Sequence, residues 1–338
     1  MKQLTDHKEL RERLFNATPE SFESLALCVF RFQYDHNTLY RQYCDLLKTG
    51  PASVDEIGQI PFLPVQFFKS HDIISTQFDP SLVFESSGTT GSVNSRHLVK
   101  DVSLYEESFI KGFSLFYGDV SKYCIIGLLP SYLERKNSSL VFMVDDLIKK
   151  SNQQQSGFYL YDHEKLKKLL FQNEKKGQQT LLIGVTYALL DFFEANPIKL
   201  HHTIIMETGG MKGRREELIR LQVQQLLKAY TGVASIHSEY GMTELLSQAY
   251  SKKDGIFNCP PWMKILLRSE DDPMEVQSNK KIKAAFINGV INVIDLANLF
   301  SCSFIATDDM GKLYNDGSFE VLGRLDNSDI RGCSLMMA

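Results

Sequence analysis

Apolar positions recur at helical spacing through TPESFESLALCVFRFQYDHNTLYRQYCDLL, which predicts helices over residues 1 to about 48, with Thr18 as a cap. Gly50 and Pro51 end that stretch, and IPFLPVQFFKSHDI, with its prolines and aromatics, predicts an ordered loop packed on a core. From about 82 to 240 the pattern alternates. LVFE, YCIIGLL, TLLIG and HTIIME predict short buried strands. SLYEESFIKGFSLF, SSLVFMVDDLIKK, HEKLKKLLFQN, TYALLDFFEAN and REELIRLQVQQLLKAY predict helices between them. Such alternation predicts an α/β fold, a largely parallel sheet with helices on its faces. After about 260 the runs KILLR, AAFIN, VINVID, GKLYNDG and FEVLG, with the turn signal Asn315-Asp316-Gly317, predict a smaller β-rich subdomain. The expected divisions are 1–80, a helical segment and loop; 81–260, an α/β region; and 261–338, the β-rich part and tail, all in one compact unit. The polar tract KKSNQQQSG predicts a mobile surface loop.

Composition narrows the class. Among 338 residues, 43% are apolar and 23% charged, as in a soluble globular protein. A net charge of -4 argues against a duplex-binding face, which needs basic residues to displace counterions, so no nucleic-acid partner is expected. No apolar stretch is long enough to span a bilayer. The N-terminal MKQLTDHKELRERLF reads as an amphipathic helix and not as a signal peptide. The six cysteines, at 28, 44, 124, 259, 302 and 333, form no CxxC pair, so a cytoplasmic protein with free thiols is expected.

Three motifs carry chemistry. Glu85-Ser86-Ser87-Gly88-Thr89-Thr90-Gly91-Ser92 follows the apolar run LVF; its glycines allow close backbone approach, and its hydroxyls and N–H groups can surround phosphate oxygens. It is not a Walker loop, because no Gly-Lys-Ser/Thr follows, and a plain polar turn has the same residue types. In Glu239-Tyr240-Gly241-Met242-Thr243-Glu244, a carboxylate beside a hydroxyl at an expected loop-to-helix transition suits Mg²⁺ on a triphosphate, and Tyr240 offers a flat face for a base. The plain alternative is a helix start capped by Thr243. In Thr307-Asp308-Asp309-Met310-Gly311, followed by Gly323-Arg324-Leu325-Asp326, an aspartate at a strand end can accept from both ribose hydroxyls; solvated turn acids of a hairpin would look alike.

Taken in order, SSGTTG, TGG at 208–210, EYGMTE, TDDMG and GRLD resemble the core motifs of the adenylate-forming superfamily, over residues 82 to 333. LPVQFFKSH at 63–71, LLPSYLERKNSSLVFMVDDLI at 128–148 and the ending Arg331-Gly332-Cys333-Ser334-Leu335 resemble the acyl-protein synthetase (LuxE) family, relatives of phenylacetate-CoA ligase. The resemblance implies the large domain of those enzymes, using ATP and Mg²⁺ to activate a carboxylic, in this family fatty, acid. The acyl group would pass to a protein cysteine, here Cys333, or to CoA in the ligase alternative; acyl-transferase or acyl-reductase subunits would be partners. A nucleotide-binding subunit without turnover is the alternative of another class. By resemblance, Ser87, Gly88, Thr89, Thr90 and Gly91 grip the phosphates, and Gly209, Gly210 and Tyr240 border the adenine. Thr243 meets the α-phosphate, Glu244 the Mg²⁺ and Asp309 the ribose, while Arg324 assists near the ribose or the hinge. Two departures stand out. Asn94 occupies the position where the phosphate loop usually carries a lysine, with Arg96 nearby. The mobile C-terminal lid with its catalytic lysine is expected to be absent, leaving Arg96, Lys69 and Lys212 as substitute cations. The aromatics around 113–117 and 187–193 are candidates for an acyl pocket.

Overall fold

The computed structural model describes residues 7–86, 93–130, 134–210, 218–277 and 284–325. Thr18 caps as its sequence predicts: its hydroxyl accepts the Ser21 N–H, and the Ser21 hydroxyl accepts the Thr18 N–H at 2.9 Å. In chain order come α1 (His7–Leu14), α2 (Pro19–His36), α3 (Thr38–Leu46), β1 (Leu63–Pro64), α4 (Phe67–Ser70), β2 (Leu82–Glu85), β3 (Arg96–Val99) and α5 (Val102–Tyr117). The alternating region follows: β4 (Cys124–Leu128), α6 (Ser139–Ser151), β5 (Gly157–Phe158), α7 (His163–Lys176), β6 (Thr180–Gly184), α8 (Thr186–Ala195), β7 (Thr203–Glu207), α9 (Arg220–Thr231) and β8 (His237–Tyr240). The last part holds β9 (Ala249–Ser251), β10 (Phe257–Asn258), β11 (Met263–Arg268), β12 (Val276–Gln277), β13 (Phe286–Asp295), β14 (Phe304–Tyr314) and β15 (Phe319–Arg324).

The expected parallel sheet is present as β5-β4-β6-β7-β8, and its strands are fully or nearly fully buried in β4, β6 and β7. It does not stop there. β9 turns back antiparallel on β8, and the order continues through β10, β15, β14, β13 and β11 to β12 in one sheet. The β-rich part therefore extends the same sheet. AAFIN and VINVID are not two strands: Phe286–Asp295 runs as one, paired with β11 along one edge and β14 along the other.

Other local expectations change too. LVFE is not a strand of the parallel sheet; β2 pairs only with β3, as a separate antiparallel hairpin. The predicted loop at 60–73 contains β1, which lies parallel to β14 with Leu63 opposite Ile305, and the helix α4. The tract KKSNQQQSG is in part the last turn of α6. Asn152 takes the left-handed conformation that ends the helix, and Gln153 Nε2 donates to the Ser121 carbonyl at 3.0 Å.

One hydrophobic core gathers Leu10 and Phe30 from the first helices, Phe109 and Phe113 from α5, and Ile294, Phe304 and Phe319 from the C-terminal strands. Gln33, buried in α2, donates to the carbonyls of Asn298 and Leu299 at 2.9 and 3.0 Å and accepts from the Ser303 N–H at 2.9 Å. Burying an amide this way requires all these partners, so the helical segment is tied to the strand region in one arrangement.

Candidate functional site

In a parallel sheet ligands bind beyond the carboxyl ends of the strands, where backbone groups of the following loops are free to face them. The described motifs gather there. Beyond β7, Glu207 accepts from the Gly209 N–H at 2.8 Å and from the Thr186 hydroxyl at 3.1 Å. Gly209 and Gly210 have φ of 75° and 89°, a region closed to most side chains, and their carbonyls accept from the N–H groups of Thr186 and Tyr187 at the start of α8. The TGG turn is thus fixed between a strand end and a helix start.

β8 ends at Tyr240, and the chain then forms a turn that leads into a strand, β9. The expected helix after EYGMTE is absent because this segment is pinned from another element. Asp295, at the end of β13, accepts from the N–H groups of Leu246 and Ser247, both at 2.9 Å, and from the Ser247 hydroxyl at 2.6 Å. Asn298 donates to the Glu244 carbonyl at 2.7 Å. These bonds replace the helical ladder. Burial raises the Asp295 pKa to about 6. Neither residue was singled out in the sequence; the signal was three polar residues, Asn292, Asp295 and Asn298, inside the otherwise apolar run INVIDLANLF.

The β2–β3 hairpin, whose strands flank the SSGTTG motif in sequence, docks onto this turn. His97 Nδ1 lies 2.9 Å from the Thr243 carbonyl and Nε2 lies 2.8 Å from the Ser301 hydroxyl, so Nδ1–H donates and Nε2 accepts. Burial lowers the His97 pKa to about 4, which keeps the ring neutral. The Ser95 hydroxyl lies near enough to the Glu244 carboxylate to stabilise its charge, and Ser95 also closes the loop base, donating its N–H to the Ser86 hydroxyl at 2.9 Å. Glu244 is 6% exposed, and desolvation raises its pKa against the lowering effect of Ser95. Ser87, Gly88, Thr89, Thr90 and Gly91 lie outside the described residues.

Across the sheet, Asp309 and Asp308 point to opposite faces of β14, as successive strand residues do. Asp308 accepts from Gln66 Nε2, while Asp309 accepts from the Tyr240 hydroxyl at 2.9 Å and from Arg324 Nε at 3.3 Å. Asp309 is not at a strand end as predicted; it lies within β14, opposite Arg324 of β15, beside a register shift at Met310/Gly311. Burial and the Asp309 carboxylate both raise the Tyr240 pKa, so the phenol stays protonated and donating.

A cleft of ≈ 200 Å³ opens beside the turn, lined by Thr243, Gly241, Glu239 and Gln248 on one side and by Glu85, Tyr105, Arg135 and Met143 on the other. Thr243 thus faces open space, whereas Glu244 is buried behind it. The aromatics proposed for an acyl pocket pack in the cores, Phe113 on Tyr117 and Phe192 on Phe193; the aromatic that lines the cleft is Tyr105, which lies outside the proposed stretches. The substitute cations divide as well. Arg96 is half exposed and pairs with Asp72 at 3.3 Å, Lys69 contributes a favourable charge to Glu244, and Lys212 lies outside the described residues. Arg135, not singled out from sequence, lines the cleft. Cys333 also lies outside the described residues. Among the described residues no cluster of three or more His, Cys, Asp or Glu could hold a metal, and no helix is long and apolar enough to cross a membrane.

Comparison with known proteins places this geometry. A family model described as acyl-protein synthetase, LuxE, matches residues 12–338. The chain is 25% identical over 353 residues to the long-chain-fatty-acid–luciferin-component ligase of Aliivibrio fischeri, covering 97% of this chain and 90% of that protein. In structure it is similar to a 2-hydroxyisobutyryl-CoA ligase in the postadenylation state, with a TM-score of 0.62 and 9% identity over 94% of this chain and 70% of that one. An open conformation of that ligase with 2-HIB-AMP and CoA gives a TM-score of 0.58 at 10% identity, over 92% and 72%. At such identities the likeness is one of fold, the fold of the adenylate-forming enzymes.

Proposed function

The chain belongs to the acyl-protein synthetase (LuxE) family, and on that premise we propose that it joins a carboxylic acid to AMP and passes the acyl group to a cysteine thiol. That it is an acyl-adenylate-forming ligase follows from family and fold together; the residues, the acid and the acceptor are the proposal. One observation supports the assignment most. The base of the SSGTTG loop is held, through Ser95 and His97, against the turn that carries Thr243 and Glu244, with an open cleft alongside.

A carboxylate oxygen attacks the α-phosphorus of ATP, the bond to the β-phosphate oxygen breaks, and pyrophosphate leaves. A thiolate then attacks the acyl carbonyl, and AMP leaves as the thioester forms. Such steps need alignment and stabilised phosphate charge more than a protein nucleophile in the first step. Ser87, Gly88, Thr89, Thr90 and Gly91 hold the phosphates, Thr243 donates to the α-phosphate from the cleft wall, and Gly209, Gly210 and Tyr240 border the base. Asp309 receives the ribose hydroxyls, with Tyr240 and Arg324 fixing its carboxylate. Glu244 fits Mg²⁺: it is a buried carboxylate stabilised by the Ser95 hydroxyl, its own backbone N–H and the more distant charges of Arg324 and Lys69, with no ion pair among the described residues, and magnesium on a triphosphate needs one or two protein carboxylates. Bound there, the ion would neutralise charge on the leaving pyrophosphate.

The test is acid-dependent exchange of labelled pyrophosphate into ATP, over a panel of acids, followed by acyl transfer to the protein or to CoA. Exchange with protein labelling is the expected result. Exchange with acylation of CoA and no labelled protein would transfer the proposal to a CoA ligase. Absence of exchange with every acid, in a folded protein that binds ATP, would leave a nucleotide-binding subunit without turnover.

A further inference from the structure

Four buried polar side-chain atoms among the described residues lack a hydrogen-bond partner, and the Oε1 of Gln248 is the one whose residue lines the cleft. Gln248 is 5% exposed, and leaving a buried carbonyl unpaired is costly unless a ligand supplies the donor. The Tyr105 phenol beside the amide donates to the Ser139 carbonyl at 3.0 Å, so its oxygen can only accept, which favours the amide nitrogen on that side and leaves Oε1 unpaired.

Glu239 meets Gln248 over Gly241. A Cβ built on Gly241 would lie 2.3 Å from Glu239 Oε1 and 3.5 Å from Gln248 Cγ, so the glycine is what lets the carboxyl fold over the strand end next to the amide. Glu239 pairs with Tyr250 across the β8–β9 ladder, and a charge on its carboxylate reaches the hydroxyls of Tyr105, Tyr117 and Tyr250. Burial, and then the Glu207 carboxylate, raises its pKa to about 8. An uncharged carboxyl can both donate and accept. A wall built only to hold a hydrocarbon chain would have no use for two adjacent buried groups of this kind.

We propose that Glu239 and Gln248 form a polar subsite that selects an acid carrying a hydroxyl or amino group on its chain over the unsubstituted acid of equal length. The inference rests on the proposed acid activation. With the reacting carboxylate at Thr243, the chain runs past Gly241, and its substituent donates to Gln248 Oε1 while the Glu239 carboxyl closes the second hydrogen bond. A site of this kind rejects the analogue lacking the donor because its own buried groups are then left unpaired.

The experiment is pyrophosphate exchange with length-matched alkanoic, hydroxyalkanoic and aminoalkanoic acids, the substituent placed at successive carbons. One substituted series is expected to exceed its unsubstituted partner in kcat/KM by about ten- to a hundredfold, the range for one buried hydrogen bond left unmade. In Gln248→Leu that ratio falls to near one, chiefly because the unsubstituted acid improves. Glu239→Met, which keeps the length and removes both the donor and the acceptor, reports separately if Gln248→Leu does not fold, and it should also reduce the ratio. Equal or better exchange with unsubstituted acids overturns the subsite while leaving acid activation intact. Failure of every acid overturns both.

Discussion

His97 donates its Nδ1 proton to the Thr243 carbonyl at 2.9 Å, joining the strand that follows the SSGTTG loop to the turn that carries the proposed α-phosphate and magnesium residues. Two motifs far apart in sequence meet through one neutral, fully buried ring. Its charge state has a measurable consequence. Above about pH 6.5 both the folded and unfolded chains hold neutral imidazole. As pH falls toward about 4, the unfolded His97 takes up a proton that the folded one refuses, so this ring's contribution to stability is lost over that window. His237, lowered to about 4 by burial and then Lys252, acts in the same direction. Glu239 and Asp295, both raised, act in the opposite one. The comparison of variant with wild type isolates His97. His97→Asn should show a weaker loss of melting temperature between pH 7 and 5 and a reduced pyrophosphate exchange at pH 7. A pH profile parallel to wild type would exclude the neutral-ring account.

Glu244→Gln keeps the size but removes the charge. Magnesium then lacks its protein carboxylate, and acid-dependent exchange should fall by at least about a hundredfold, with the melting temperature unchanged or higher, since a buried charge has been removed. Near wild-type exchange across a magnesium titration would remove Glu244 from the site.

The carboxylate of Asp309 is already oriented by Tyr240 and Arg324 before any ribose arrives. Asp309→Asn should weaken ATP binding by about 1–3 kcal/mol, the range for a charged hydrogen bond lost. Tyr240→Phe should cost less, because one of two fixing bonds remains. Calorimetric titration orders the two; equal affinity of the wild type for ATP and its 2′,3′-dideoxy analogue would count against a ribose contact.

The parallel half of the sheet was legible because β4, β6 and β7 are buried on both faces and read as unbroken apolar runs between helical ones. LVFE reads the same way but pairs only with Arg96–Val99, and nothing local separates a sheet strand from a hairpin strand. The turn after Tyr240 was misread as a helix because its partners, Asp295 and Asn298, come from fifty residues further on. Likewise Glu239 and Arg135 were visible only as parts of longer motifs, and Gln248 not at all. Their meaning depends on which side of the strand end opens into the cleft, and the sequence period does not carry that.

Thr89 and Thr90 lie outside the described residues, and the phosphate-binding role proposed for them rests on their sequence motif and its family resemblance. If their hydroxyls hold phosphate, replacing both by Ala should raise the Kd for ATP about tenfold or more and shift the melting curve little. If they only shape a turn, stability falls and affinity stays. Titration beside a melting curve separates these outcomes.

The acyl acceptor is the last step to test. Burial raises the thiol pKa of Cys124, Cys259 and Cys302, and brings that of Cys44 to about 12, so at neutral pH these thiols hold little of the nucleophilic thiolate. Cys28 is buried as well. Cys333 differs in its sequence setting: Arg331 stands two positions before it, and the apolar Leu335, Met336 and Met337 follow, so it is the acceptor proposed here. Incubation with ATP, Mg²⁺ and a labelled acid that supports exchange should label the chain through a bond that neutral hydroxylamine cleaves, as it does a thioester. Cys333→Ser should keep exchange, which precedes transfer, and lose the label. Label that persists on this variant, or that maps to Cys124, Cys259 or Cys302, rules out Cys333 as the acceptor.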